Sequence, residues 1–265
     1  MTLAEPDDLL VCERVTKQFG ALAAVKELSF AARRGEILGI GGPNGAGKTT
    51  LFDVLSGLNE ATSGRVLLDG RDITRAAPEA ICHAGIARTF QLNACFDSLT
   101  VRENVQVGAV FGRAAQGLPG LRPSVEAEAA TQEALALVGL DEKGGLVAGA
   151  LPVLDRKLLM LAGAMATRPK LLLMDEPVGG LTHAEIDLMM ETVRRIKAQG
   201  VTIILIEHVM RFLVALSDRV MILHHGERIY EGPAAGLVRD RTVVDVYLGE
   251  GASARLAALL PEPAP

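Results

Sequence analysis

Residues 41–50 read GGPNGAGKTT, a run with almost no side chains at the points where a backbone would have to come close to something. From Gly42 to Thr49 it fits GxxxxGK[ST] at every fixed position. In that pattern the N–H groups of Gly42, Pro43, Asn44, Gly45, Ala46 and Gly47 (proline excepted) and the start of the next helix surround phosphate oxygens. Lys48 reaches the terminal phosphates, and Thr49, followed by Thr50, offers a hydroxyl to Mg²⁺. A glycine-rich turn matching by chance is the bland alternative. The context argues against it, because GEILGIGG (35–42) reads as a strand running into the loop and TTLFDVLSGL (49–58) as a helix leaving it.

Two more short apolar runs read as buried parallel strands, LLLMDEP (171–177) and VTIILIEH (201–208). The first ends in Asp175, a carboxylate placed to hold Mg²⁺, and continues to Glu176, placed to polarise a water attacking a γ-phosphate. The second ends in His208, a candidate γ-phosphate sensor. Between them LTHAEIDLMMETVRRIKAQG (181–200) predicts a helix with Thr182 and Glu185 as a capping box and Gly200 as its stop.

Further out, LLVCERV (9–15) reads as a strand and VEAEAATQEALALVGL (125–140) as a helix. RVMILHHGERIYEG (219–232) predicts a hairpin turning at His225-Gly226. Between about Ala87 and Ala166 no strand is expected. GRAAQGLPGLRPS (112–124) is expected to be a mobile loop and PEPAP (261–265) a frayed tail.

Composition sets outer limits. With 49% hydrophobic residues in 265, the chain has enough for a core. A net charge of −5, pI about 5.6 and no basic stripe argue against nucleic acid as a main ligand. Cys12, Cys82 and Cys95 show no CxxC spacing and read as reduced thiols. The acidic N-terminus is unlike a secretory peptide, and no apolar run approaches the ~18 residues of a membrane span.

These motifs together resemble ATP-binding cassette (ABC) ATPases. GPNGAGKTT is similar to that family's Walker A, LLLMDEP to its Walker B with catalytic glutamate, GGLT (179–182) to its D-loop and IEHVM (206–210) to its His switch. The resemblance implies an α/β P-loop core with an N-terminal antiparallel β subdomain (residues 1–88 and 167–265 in all) and an inserted α-helical subdomain over 89–166. It implies ATP and Mg²⁺ as ligands. Gln91, in GIARTFQ (85–91), would be a Q-loop glutamine sensing Mg²⁺ and the attacking water. Phe19 would stack on adenine, the alternative being an ordinary core phenylalanine. Around Phe96 and Leu99 the family receives a permease helix, and a buried helix-core role for these two is the alternative.

More narrowly, GIARTFQ, SLTVRENV (98–105), LIEHVMRF (205–212) and VVDVYLGEG (243–251) are similar to ATP-binding subunits of branched-chain amino acid importers. That resemblance implies transmembrane permeases, a second ATP-binding subunit, a substrate-binding protein met indirectly, and a place on the cytoplasmic face of the plasma membrane.

One element departs from the family. Where an LSGGQ-like signature should stand, Leu151 to Asp155 read LPVLD. Pro152 has neither hydroxyl nor N–H, and Leu154 blocks the approach that glycine permits. Pro152 suits the first turn of a helix. Thr182 likewise stands where the D-loop commonly has Asp or Asn. A heterodimer, in which a partner supplies a sound signature to this chain's phosphate loop, is therefore expected over a homodimer. The competing readings are a non-transport ABC ATPase of DNA repair or translation, a P-loop small-molecule kinase, and a nucleotide-binding subunit that hydrolyses little.

Overall fold

The computed structural model describes residues 5–90, 94–112, 123–237 and 239–245. Its contacts divide the chain into two compact units, residues 1–76 with 202–265, and residues 77–201.

The first unit opens with β1 (Asp8–Phe19) and β2 (Leu22–Arg33), a bulged antiparallel hairpin. It continues through β3 (Ile37–Gly41), α1 (Lys48–Leu55), β4 (Ser63–Leu68) and β5 (Arg71–Asp72). The order β2-β1-β4-β5 makes an antiparallel sheet. The second unit runs α2 (Pro78–Ala84), β6 (Ile86–Thr89), α3 (Val101–Phe111), α4 (Val125–Val138), α5 (Val153–Ala166), β7 (Leu171–Asp175) and α6 (His183–Ala198). The chain then returns to the first unit with β8 (Thr202–Ile206), α7 (Met210–Leu216), β9 (Arg219–His224) and β10 (Glu227–Gly232).

In the first unit β3 lies between β8 and β9 and pairs parallel with both. All five residues of β3 and all five of β8 are buried, which is why these strands read as continuous apolar runs without alternation. The β9–β10 hairpin turns where the sequence places it. His225 (φ 47°) and Gly226 (φ 80°) both sit in the left-handed region that a two-residue hairpin turn requires.

In the second unit α3, α4 and α5 pack on one another around Val105, Leu135 and Leu161, each essentially inaccessible to solvent. The strand β6 corrects the expectation that 87–166 would begin without one. IART is too short and too polar at Arg88 to show a strand period. Its extended form comes from parallel pairing with β7, Ile86 opposite Leu171 and Thr89 opposite Met174. The capping box at Thr182 is formed: its N–H donates to Glu185 Oε2 at 2.8 Å, and Glu185 N–H donates back to its hydroxyl at 3.4 Å. The expected mobile loop falls mostly, and the frayed tail wholly, outside the described residues.

Candidate functional site

The phosphate loop is suspended from the buried strand β3. Gly42, Gly45 and Gly47 take φ of 143°, 79° and 98°, conformations that side-chain-bearing residues avoid. At Gly47 space forbids a side chain as well, since a Cβ there would lie 2.1 Å from the Ala24 carbonyl oxygen of β2. The β9–β10 turn ties the loop down from another side: Gly226 N–H donates to Ala46 O (3.0 Å), and Lys26 N–H of β2 donates to Gly226 O (2.9 Å).

Lys48 is buried, at 7% exposure, and folds back so that Nζ donates to the carbonyls of Gly42 (2.7 Å) and Pro43 (3.0 Å). The ammonium thus sits over the loop it closes. α1 begins at Gly47 with no side-chain cap and no acidic residue in its first turn, so the N-terminal partial charge is left for an anion. Asn44, Gly45 and Thr49 are exposed and Thr50 is half-buried. Amides, helix N-terminus and ammonium together form a cradle suited to a polyphosphate.

His208 belongs to the same unit. Ile40 of β3 is level with Ile206 of β8, and Glu207 N–H donates to Ile40 O at 3.3 Å. His208 therefore leaves β8 at the strand edge from which the phosphate loop leaves β3. The sequence reading passed over Glu207. It is fully buried, and its Oε2 accepts from the N–H groups of His208 (2.9 Å) and Val209 (3.0 Å). This holds the peptide while leaving the His208 side chain 54% exposed. An acidic residue closing an otherwise apolar run was the available signal.

Phe19, at the end of β1, is 48% exposed, with Lys17 Nζ 4.9 Å from its ring centroid. The core alternative for Phe19 does not hold. An accessible ring is what stacking on a base requires.

In the second unit Asp175 ends β7 at 3% exposure, and Arg88 Nη2 of β6 donates to its Oδ2 at 3.1 Å. Glu176 follows with φ 46°, an uncommon conformation for a side-chain-bearing residue and one that collects at functional turns. Gln91 lies outside the described residues. Phe96 is 55% exposed, which sets aside a buried helix-core role for it, and Leu99 is half-buried. As hard oxygen donors, the Thr49 hydroxyl and Asp175 carboxylate are of the type that Mg²⁺ takes.

The LPVLD stretch starts α5. Pro152, exposed, is its N-cap (φ −58°, ψ 162°), one residue before the first turn where sequence places it, and no side chain caps the helix. Asp155 stands in the first turn, largely buried, with Lys143 Nζ 2.6 Å from Oδ2. Thr182, the D-loop departure, is committed to capping α6.

A buried parallel strand, a left-handed glycine loop closed by its own lysine, and a helix with an open N-terminus define a P-loop nucleotide-binding fold. Among known proteins, the ABC transporter family profile matches residues 25–179. The probable branched-chain amino acid transport ATP-binding protein LivG of Methanocaldococcus jannaschii is 31% identical over 256 residues, covering 92% of this chain and 98% of that protein. The high-affinity branched-chain amino acid transport ATP-binding protein LivG of Salmonella typhimurium is 34% identical, covering 91% and 98%. A ribose import ATP-binding protein of Halalkalibacterium halodurans is 36% identical over 215 residues, but this chain covers only 42% of its length. A solved nucleotide-free ATP-binding cassette from an ABC transporter superposes with a TM-score of 0.83 at 29% identity, covering 92% of this chain and 100% of that one. The chain belongs to the ABC transporter family. It is an ATP-binding protein of that family, an ATPase whose hydrolysis is coupled to transport.

Proposed function

We propose that this chain is the ATP-hydrolysing subunit of an importer for branched-chain amino acids or related amides, acting at the cytoplasmic face of the membrane through partner permeases. The observation that carries the cargo class is the 31–34% identity, over 91–92% of this chain, to relatives named for branched-chain amino acid transport. No described helix is long and apolar enough to cross a membrane.

In this reading the amides of Gly42–Gly47 and Lys48 hold the phosphates, and Phe19 stacks on adenine. Thr49, Asp175 and Gln91 hold Mg²⁺, which when bound neutralises phosphate charge. Glu176 orients the water and takes its proton as the water oxygen bonds to the γ-phosphorus. The bond from that phosphorus to the bridging oxygen breaks, and ADP leaves with the electron pair. His208, steadied by Glu207, donates toward the γ-phosphate.

The start of α5 supports a heterodimer: its N-cap is a proline, which offers neither hydroxyl nor N–H, and its first turn carries Asp155, already paired with Lys143. Steady-state ATPase of the chain alone and mixed with its sister cassette and permeases tests this. Activity confined to the mixture, and lost in Glu176→Gln, is expected. Full cooperative activity from the chain alone would overturn the heterodimer. A sugar cargo is the second reading, favoured by the 36% identity to the ribose relative. Uptake of leucine against ribose by the reconstituted complex separates them.

A further inference from the structure

Arg88 has no place in the nucleotide scheme, yet it is paired with the carboxylate that scheme depends on. It sits on β6 level with Leu173 of β7, two residues before Asp175, and its side chain runs along the strand pair to reach Asp175 Oδ2. Both side chains are buried, at 7% and 3% exposure. The guanidinium carbon lies 5.1 Å from the Phe90 ring centroid, so an aromatic face flanks the cation.

A buried carboxylate without a nearby cation is costly, and the Arg88 guanidinium supplies that cation. A divalent cation arriving at the same carboxylate meets a site already neutralised. It must share the negative charge with Arg88 or push the guanidinium aside.

We propose that Arg88 is the resident counter-ion of Asp175, a positioning residue that stands in for the divalent cation in its absence and sets how tightly the carboxylate takes Mg²⁺. This rests on the reading of Asp175 as a Mg²⁺ ligand. It makes Arg88 a competitor of the metal rather than packing alone. Low affinity would then be part of the design, since the site must release Mg²⁺ with ADP in every cycle.

The test uses the full chain loaded with ADP and reads Tm by scanning fluorimetry in EDTA and across a MgCl₂ titration. In EDTA, Arg88→Met should lower Tm by about 6 °C or more, as expected for a buried pair broken on one side. In saturating MgCl₂ that deficit should at least halve, and half-maximal stabilisation should come at about tenfold less Mg²⁺ than in the wild type. The double variant Arg88→Met with Asp175→Asn should recover most of the loss seen in EDTA. Arg88→Lys keeps the charge, and its half-maximal Mg²⁺ should stay within about threefold of wild type.

Equal deficits of Arg88→Met in EDTA and MgCl₂, or a double variant no better than the single one, would overturn the proposal and leave Arg88 a packing residue. If Arg88→Met does not fold, a tenfold shift in Arg88→Lys would overturn it. If the wild type itself shows no Mg²⁺-dependent rise in Tm, the Mg²⁺ reading of Asp175 falls and takes this proposal with it.

Discussion

Two helices of this chain, α1 and α5, begin in the same way: neither has a side-chain cap. They differ in what stands around the open end. α1 is preceded by glycines in the left-handed region, has Lys48 at its first position and carries no acid in its first turn. α5 is preceded by a proline and carries Asp155 in its first turn, bound to Lys143. The N-terminal dipole is common to both, so the dipole alone does not make a phosphate site. Donor geometry in the turn and the sign of the nearest charge decide it. The helices α3, α4 and α6 mark the other limit, their ends closed by Thr100, Ser124 and Thr182 from within.

The largest effects should come from removing what α1 has and α5 lacks. Lys48→Ala is expected to abolish nucleotide binding as well as turnover. Glu176→Gln should keep binding while ATPase falls by about 10³-fold. Fluorescent-nucleotide titration beside a phosphate-release assay distinguishes them, and loss of binding in both variants would break the division of roles.

Gly47→Ala comes next. Its Cβ would meet the Ala24 carbonyl oxygen at 2.1 Å in addition to the positive φ, so a loss of about 3 kcal/mol is expected by chemical denaturation. Gly45→Ala has the same sign of φ but open space around it and should lose only about 1 kcal/mol. Similar losses at the two positions would mean that strain, not the contact with β2, shapes the loop.

The converse experiment gives α5 what α1 has. Pro152→Ser with Leu154→Gly restores a hydroxyl and a backbone approach. It should raise ATPase of the chain alone by about threefold or more. No change would mean that LPVLD is not what silences the homomeric site, which would remove the main support for a heterodimer.

The smallest effect concerns a helix end with no role at a ligand. Thr182→Ala should lower Tm by about 2 °C at neutral pH. Glu185 has its pKa lowered by the hydrogen bonds it accepts from the Thr182 N–H and hydroxyl. A carboxyl depressed in the fold contributes stability above its unfolded pKa and loses it as pH falls through the folded value. The Thr182→Ala deficit should therefore shrink below about pH 4. A deficit constant down to pH 3 would mean that the cap works without the carboxylate.

Much of the site could be read because its residues are local. A GxxxxGKT run after an apolar strand fixes its own geometry, and so do Thr182 with Glu185 and the His225-Gly226 turn, since each partner is within a few residues in the chain. What escaped reading depends on distant neighbours. The strand β6 exists through β7, some eighty residues on. Arg88 looked like one polar letter in GIARTFQ until the fold set it against Asp175. Glu207 was passed over in the sequence, and only burial shows its carboxylate turned onto the next two amides. Phe19 was open between stacking on adenine and a place in the core, because a phenylalanine at a hairpin end has no local rule for burial.

By itself, then, the sequence determined the phosphate loop, the acidic strand end and the family they belong to, because short-range backbone chemistry dictates those patterns. Tertiary structure decided which charges meet in the dark interior. The energy of a buried pair depends on a neighbour that chain distance does not reveal, and on the loss of water around both groups.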